Sequence, residues 1–291
     1  MSSPSTDRAA SHGGLRAAAM ARSTFVHLVL GGYSLLVLCP ILLVILNSFK
    51  TRRAIFDDPL ALPAAASFSV AGYLKVLSNA SVLGMFANSA LVTGVSLALI
   101  LLFGAMAAWG LTEYGFRGNR WLVLFFAFGI MVPIRLGSVS ILQTMVALDL
   151  VNTLTALVLV YVAQGLPLAI MILSEFIQQV PGELKDAARC DGVGEFTIFF
   201  RIILPLIRPA VATVTVFTMV PIWNDLWFPL ILAPSEGTQT ITLGVQQFIG
   251  QFATDWNAVL AALSLAVLPI LVLYALSSRQ LIRGITAGAV K

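Results

Sequence analysis

Six apolar segments, each long enough to cross a lipid bilayer, constrain the fold of this chain more than any other feature. About 20 residues of helix cross the hydrocarbon core of a membrane. Among the 291 residues, 59% are hydrophobic and only 10% are charged, whereas roughly 25% are charged in a soluble domain. The sequence therefore predicts an all-α membrane protein with six transmembrane helices. The six segments are residues 25–46, 86–111, 121–142, 154–176, 209–232 and 258–276.

The rest of the chain forms tails and one long polar loop. Residues 1–24 are rich in Ser, Ala and Gly and are expected to be a disordered tail. Residues 25–282 form the six-helix domain, which contains the polar loop 181–208, and residues 283–291 form a C-terminal tail. The third segment is the least regular, because Pro133 and Arg135 interrupt it.

The distribution of Lys and Arg predicts which side of the membrane each loop occupies. If the N-terminus is cytoplasmic, twelve Lys and Arg residues lie on the cytoplasmic side of the membrane and four lie on the outer side. Since cytoplasmic loops carry the excess of positive charge, both termini and the loop 181–208 are predicted to be cytoplasmic. The cluster of Lys50, Arg52 and Arg53 after the first segment opposes this orientation and is outnumbered.

The loop 181–208 has the features of a short, capped helix. Pro181 suits a first helical turn and Glu183 suits the positive end of the helix dipole. Residues 184–191 are expected to be helical, and Gly192 is the expected left-handed terminator. The adjacent small side chains of Ala187 and Ala188 would allow a partner to approach closely. An ordinary amphipathic connector is the alternative.

The fifth segment carries an ionisable residue, Asp225, next to Asn224. A charged group inside a bilayer is costly and usually faces a cavity, so both residues are candidates for a translocation path. Trp223 and Trp227 could instead be interfacial anchors, which would leave Asp225 in water. Both alternatives remain open at this point.

Three further polar residues are candidates for the same path. Arg135 is either a cavity residue or the end of a short span. Tyr161 and Gln164 could bind a hydroxylated solute, although such residues more often form hydrogen bonds between helices.

No catalytic or metal site is expected in the sequence. There is no phosphate-binding loop of the G-x-x-x-x-G-K-[ST] type, so ATP hydrolysis is not expected in this chain. His12 and His27 lie in or beside the tail, and Cys39 and Cys190 lack the spacing of a metal site or disulfide framework. The net charge of +4 is small and dispersed, so no nucleic-acid partner is expected.

The loop resembles the EAA loop of ABC-importer permeases. The matching pattern is Asp186-Ala-Ala, then Gly192, then Ile202-x-Leu-Pro205. The family usually has Glu where this chain has Asp186, which keeps the charge but shortens its reach. Further segments resemble the carbohydrate-uptake permeases of the MalG type, namely 33–50, 88–89, 150–153, 223–225 and the chain end 283–291.

The resemblance implies a type I ABC importer permease fold, in which the loop 181–208 is a coupling helix that docks in a cleft of an ATPase. Its partners would be a homologous second permease, two ATP-binding subunits that hold ATP and Mg²⁺, an extracytoplasmic sugar-binding protein near residues 234–256, a sugar and membrane lipid. The location would be the bacterial or archaeal inner membrane. By resemblance, the residues that couple to the ATPase are Glu183, Asp186, Ala187, Ala188, Asp191, Gly192 and Pro205.

The alternative function is that of a transporter driven by an ion gradient, with Asp225 as the ion carrier.

Overall fold

A computed structural model describes residues 6–248 and 255–289, and these residues are almost entirely helical. They contain fourteen α-helices and one isolated antiparallel bridge, between Lys50 and Phe68. The helices are α1 Thr6–Ser48, α2 Arg52–Asp57, α3 Ala71–Ser78, α4 Ala80–Glu113, α5 Asn119–Met131, α6 Ser138–Ala147, α7 Leu154–Gln178, α8 Gly182–Cys190, α9 Glu195–Ile198, α10 Leu204–Leu206, α11 Arg208–Asn224, α12 Trp227–Leu232, α13 Ile241–Gly244 and α14 Trp256–Ala289. Two 3₁₀ turns, Ile134–Gly137 and Val245–Phe248, and a π-helical turn, Phe199–Ile203, join some of them.

Four described helices are long and apolar enough to span a membrane: Arg22–Ser48 within α1, α4, α7 and Trp256–Ala275 within α14. In two further cases, two consecutive helical segments are long and apolar enough to span a membrane only when they are taken together, and each pair is bent at a short break. Asn119–Met131 and Ile134–Ala147 meet at 85°, and Glu195–Leu206 and Arg208–Asn224 meet at 75°. If each bent pair is one span, the described chain has six spans, as the sequence predicts.

The break in the third span has a local cause. Pro133 has no N–H, and it disfavours helical backbone at the preceding residue. Val132 accordingly ends α5 with extended dihedral angles of −77° and 119°. The chain then turns through the 3₁₀ segment Ile134–Gly137, which carries Arg135.

The core of the bundle is the pair of α4 and α7, which pack closely through glycines. A Cβ atom added to Gly104 of α4 would lie 3.0 Å from Ala169 Cβ of α7, and one added to Gly165 of α7 would lie 2.5 Å from Ile100 Cδ1 of α4. Small residues let membrane helices approach to van der Waals contact. The two helices therefore form the close-packed centre of the bundle, and the polar clusters described below contact them.

The chain termini differ from the sequence expectation. The helix α1 begins at Thr6, so residues 6–24 are helical where the sequence predicts disorder. This part is rich in Ala and continuous with the first span, and a helix that already exists is extended at little cost. At the other end, α14 continues to Ala289, and residues 290–291 lie outside the described residues. The domain boundaries stay a prediction.

Lys50, which opposes the predicted orientation, is enclosed by the protein. Its side chain is buried, and its Nζ donates hydrogen bonds to the backbone oxygens of Asp58, at 2.9 Å, and Pro59, at 3.2 Å. Backbone oxygens thus replace water around this cation. Lys50 therefore differs from a solvated loop charge, on which the orientation rule is based.

Candidate functional site

The helix α8 forms much as the sequence predicts. It begins after Pro181 and ends at Cys190, with Asp191 as its C-cap. Gly192 has a φ of +76°, which confirms the predicted left-handed terminator. The N–H of Val193 donates to the oxygen of Ala188 at 3.0 Å, so the end of the helix is closed by the chain that follows it.

One face of α8 is acidic and exposed. Glu183, Asp186, Ala187 and Asp191 all lie on the surface, at spacings of three, four and eight residues that place them on one side of a helix. The carboxylate of Asp186 contacts Arg189 Nη1 at 3.1 Å within this chain. Glu183 and Asp191 form no ion pair with any residue that the structure describes, and both are exposed to a partner.

The opposite face of α8 is anchored on the end of α4. The carboxylate of Glu113 accepts from Lys185 Nζ at 2.5 Å and from Arg189 Nη2 at 2.6 Å. Ala188 lies between these two cations in sequence and is only 7% exposed, in contact with the core of its own chain. Ala188 therefore lies on the anchored side of α8, and its assignment to ATPase coupling stays a prediction.

Further side chains complete the anchor. Arg189 Nε donates to Glu195 Oε1 at 2.7 Å, and the hydroxyl of Tyr114 donates to Glu195 Oε2 at 2.9 Å. Lys185 Nζ lies 5.6 Å from the ring centroid of Trp109, a cation–π contact. Hydrogen bonding to Glu195, and then to Glu113, raises the pKa of the Arg189 guanidinium above its usual range.

Sequence reasoning did not identify Glu113, Tyr114, Trp109 or Glu195 as functional. The sequence does contain a signal for this ion pair. Glu113 is an acidic residue at the end of an apolar span, and the α8 loop carries two basic residues at an i, i+4 spacing. That spacing marks a cationic face. Only the packing of the helices identifies its acidic partner.

Pro205 lies apart from the exposed face of α8. It stands in the first turn of α10 and lines an apolar groove with Ala98 of α4 and Arg208. Proline suits a first helical turn because its missing N–H leaves no unsatisfied donor there. Its placement supports a role in the bend of the fifth span, and the structure does not group it with the acidic residues of α8.

A second polar cluster lies where the fifth predicted span breaks. Its helix ends at Asn224, and a new helix begins at Trp227. Between them, Asp225 has a side chain that is only 7% exposed. Its Oδ1 accepts from the N–H of Trp227 at 3.3 Å, and its Oδ2 accepts from the N–H of Phe228 at 3.1 Å. Asp225 therefore caps α12, and the alternative of a solvated carboxylate is wrong.

Two side chains from other spans reach the same carboxylate. The hydroxyl of Tyr161 on α7 donates to Asp225 Oδ2 at 3.0 Å, and Arg135 Nη2 contacts Asp225 Oδ1 at 3.3 Å. Tyr161 thus forms the helix-to-helix hydrogen bond that was one of its two predicted uses. A buried carboxylate is stabilised when its oxygens accept several hydrogen bonds, and here it receives four.

Arg135 connects this cluster to an open cavity of about 630 Å³ between α5 and α7. Its side chain is 69% exposed, and the same cavity is lined by the exposed side chain of Gln164 and by Phe125 and Phe126. A guanidinium has five N–H donors, most of which remain available here. Arg135 is therefore a cavity residue.

The remaining residues of this region have separate positions. Asn224 is exposed and donates to the oxygen of Val220 on its own helix at 3.0 Å, so it lies outside the Asp225 cluster. Trp223 is buried, and its Nε1 donates to the oxygen of Ala266 on α14 at 2.9 Å. Trp227 Nε1 donates to Ser138 Oγ at 2.8 Å. Both tryptophans thus bond to neighbouring helices, which contradicts a purely interfacial role.

Comparison with known families agrees with this architecture. Residues 100–287 match the family model described as the binding-protein-dependent transport system inner membrane component. The chain belongs to this family. The matched part includes the α8 loop and the Asp225 cluster, so both candidate sites lie within the family domain.

Relatives of this transport-component family match along almost their whole length. The diacetylchitobiose uptake system permease protein NgcG of Streptomyces coelicolor is 30% identical over 94% of this chain and 91% of its own. The probable starch degradation products transport system permease protein AmyC of Thermoanaerobacterium thermosulfurigenes is 30% identical over 92% of this chain and 96% of its own. The melibiose/raffinose/stachyose import permease protein MelC of Bacillus subtilis is 30% identical over 87% of this chain and 91% of its own.

A solved structure shares the fold of this transport component. It is the crystal structure of a bacterial ABC transporter involved in the import of the acidic polysaccharide alginate, which covers 89% of this chain and 96% of its own matched chain with a TM-score of 0.77. At 19% sequence identity, the likeness establishes the ABC importer permease fold.

Proposed function

We propose that this chain is the transmembrane permease subunit of an ATP-driven importer of di- or oligosaccharides. It forms half of the translocation path and couples through α8 to a cytoplasmic ATPase by alternating access. Membership of the family supports the transport role. The relatives are named for the uptake of diacetylchitobiose, of starch degradation products, and of melibiose, raffinose and stachyose, which supports a sugar as the substrate.

The observation that carries the proposal is the two-sided character of α8. One face is fixed to the bundle by Glu113, while Glu183, Asp186 and Asp191 remain exposed. An exposed acidic helix on a rigid mount provides a specific, charge-selective docking surface. Gly192 ends this helix abruptly and directs the chain back to the bundle.

The partners follow from this role. A homologous second permease would complete the path, and two ATP-binding subunits would supply ATP and Mg²⁺, since this chain has no phosphate-binding loop. A sugar-binding protein would deliver the substrate on the other side. A solved complex of a bacterial alginate ABC transporter with an alginate pentasaccharide-bound periplasmic protein supports such a partner. Both termini and α8 would then lie in the cytoplasm of a cell with an inner membrane.

The alternative is a secondary transporter that uses Asp225 as an ion carrier. A carboxylate that carries an ion must bind and release that ion during each transport cycle, so its oxygens must be accessible to the ion. Asp225 instead caps α12 through two backbone N–H groups and accepts from Tyr161 and Arg135. These bonds support a structural carboxylate, so the ATP-driven importer is preferred.

The experiment combines subunit retention with transport. The chain is expressed together with the second permease, the ATPase and the sugar-binding protein proposed as its partners, and the complex is solubilised and purified by a tag on the chain. Uptake of radiolabelled diacetylchitobiose, maltotriose and raffinose is then measured in vesicles. Co-purification of the ATPase and uptake of at least one sugar that requires ATP are expected. Uptake that persists after ATP depletion would overturn the proposal.

A matched pair of variants locates the docking surface. Leu184 is 47% exposed on α8, so Leu184→Asp is expected to release the ATPase by adding an unpaired charge to the contact. Arg117→Asp, an exposed change in the loop between α4 and α5, should leave ATPase retention unchanged. Equal retention by both variants would contradict docking on α8.

A further inference from the structure

We propose that Glu113 is a positioning residue that makes α8 and the α4–α7 pair move as one body. This inference rests on the proposed function, because it concerns how a force applied to α8 reaches the membrane. It concerns a residue that stands outside the α8 loop and 72 positions before Lys185 in the sequence.

The anchor is centred on the carboxylate of Glu113. Glu113 is the last residue of α4, and its side chain is only 9% exposed. Its two carboxylate oxygens hold different cations, Lys185 at Oε2 and Arg189 at Oε1. Since these cations are four residues apart, one carboxylate fixes a full turn of α8 against rotation and sliding.

The contact places two cations of α8 beside the single carboxylate of Glu113. Lys185 and Arg189 both face the bundle, and their side chains are 15% and 33% exposed. Without Glu113, Arg189 would keep its contacts with Glu195 and Asp186, whereas Lys185 has no other ion pair among the described residues. Lys185 would then have lost its ion-pair partner in a largely buried position, which is strongly unfavourable. The anchor therefore requires one acidic side chain in this contact, at position 113 or, when the two charges are exchanged, at position 185.

The anchor is connected through α4 and α7 to the polar cluster around Asp225. The helix α8 follows α7 after three residues, Gln179, Val180 and Pro181, so it is joined covalently to α7 and through Glu113 to α4. These two helices are themselves locked by the close approach at Gly104 and Gly165. Tyr161 on α7 holds Asp225 at the break of the fifth span. A displacement of α8 thus has a continuous, packed route to the cavity beside Arg135.

The test compares charge removal, reversal and exchange. The variants are Glu113→Gln, Glu113→Lys, Lys185→Glu and the exchanged pair Glu113→Lys with Lys185→Glu. The matched control is Glu175→Lys, because Glu175 is exposed near the corresponding end of α7 and has no ion pair among the described residues.

The anchor is measured first on the full chain in detergent, by hydrogen exchange of the α8 amides, which needs no ATPase. Glu113→Gln and Glu113→Lys should accelerate exchange in α8 at least about tenfold. The exchanged pair should restore most of the protection, and Glu175→Lys should leave it unchanged. Equal exchange in all variants, or no recovery in the exchanged pair, would overturn the anchor.

Transmission is measured in the complex with the ATPase, in a background with Cys39→Ser and Cys190→Ser. A bimane label on Gln164→Cys reports the cavity, and the probe is Mg-ATP with vanadate. The expected result is a response that falls at least about tenfold in Glu113→Lys while the ATPase still co-purifies, and that recovers in the exchanged pair. An undiminished response in Glu113→Lys would overturn the inference.

The two proposals fail in different ways. If the unaltered chain retains no ATPase and shows no response to ATP, the proposed function is wrong, and hydrogen exchange still decides whether Glu113 anchors α8. If the unaltered complex responds normally and Glu113→Lys responds equally, only the positioning role is wrong.

Discussion

The hydroxyl of Tyr161 lies 3.0 Å from Asp225 Oδ2, and both residues are buried. The bond joins the N-terminal third of α7 to the unwound turn between α11 and α12. Around it, the rings of Tyr161 and Phe228 meet edge to face at 6.3 Å between centroids. The break in the fifth span is therefore held at a fixed position relative to the central helix.

Removing the Tyr161 hydroxyl should weaken this junction. In Tyr161→Phe, Asp225 Oδ2 keeps the N–H of Phe228 but loses its side-chain donor, at a cost of roughly 1.5–3 kcal/mol for a bond to a charged group. We expect the melting temperature, followed by tryptophan fluorescence in detergent, to fall by several degrees. Tyr274→Phe is the control, because Tyr274 is 61% exposed on α14. Equal melting of the two variants would contradict the junction.

The two members of the Asp225–Arg135 pair should contribute unequally to stability. Asp225→Ala leaves the hydroxyl of Tyr161 and two backbone N–H groups without their acceptor, at roughly 1–3 kcal/mol for each buried group that stays unsatisfied. Arg135→Ala removes one long contact from an exposed side chain and should cost below about 1 kcal/mol. Thermal unfolding of both variants tests this order, and a larger loss in Arg135→Ala would refute it.

The same two variants separate stability from transport. Arg135 lines the open cavity, so Arg135→Ala is expected to lower sugar uptake while the protein stays folded. Asp225→Ala is expected to lower both the melting temperature and the sugar uptake. Normal uptake by folded Arg135→Ala would exclude a role for this guanidinium in the path.

The left-handed turn after α8 should require glycine. Nothing lies within 4 Å of a Cβ built on either Gly192 or Gly194, but only Gly192 has a positive φ. Gly192→Val should therefore cost about 1–3 kcal/mol of backbone strain and reduce uptake, with the protein still inserted. Gly194→Val should be tolerated much better, since its φ is −70°. Uptake is compared at equal membrane levels, and equal activity would contradict the strain at Gly192.

The orientation of the chain can be measured by cysteine accessibility. In a Cys39→Ser background, an impermeant thiol reagent added to intact cells should label Ser235→Cys, which lies on the exposed loop after α12. The native Cys190, which is exposed at the end of α8, should be protected until the cells are opened. The reverse pattern would place α8 outside and exclude contact with a cytoplasmic ATPase.

The sequence by itself determined the features that depend on neighbouring residues. Long apolar runs predict spans wherever they occur, since burying a backbone in lipid requires a helix. Pro133 stops a helix because of its own ring, and Gly192 permits a left-handed turn because it has no side chain. These effects act within a few residues, so the spans, the break in the third span and the end of α8 could all be predicted.

The tertiary structure alone decided which charges meet and which face of α8 is free. Glu113 is separated from Lys185 and Arg189 by 72 and 76 residues, and Asp225 from Tyr161 and Arg135 by 64 and 90. Such pairs form only when helices pack in a particular rotation, which is set by close contacts such as Gly104 on Ala169. The same rotation turns Ala188 inward and leaves Asp186 outside, because side chains two positions apart point to different sides of a helix.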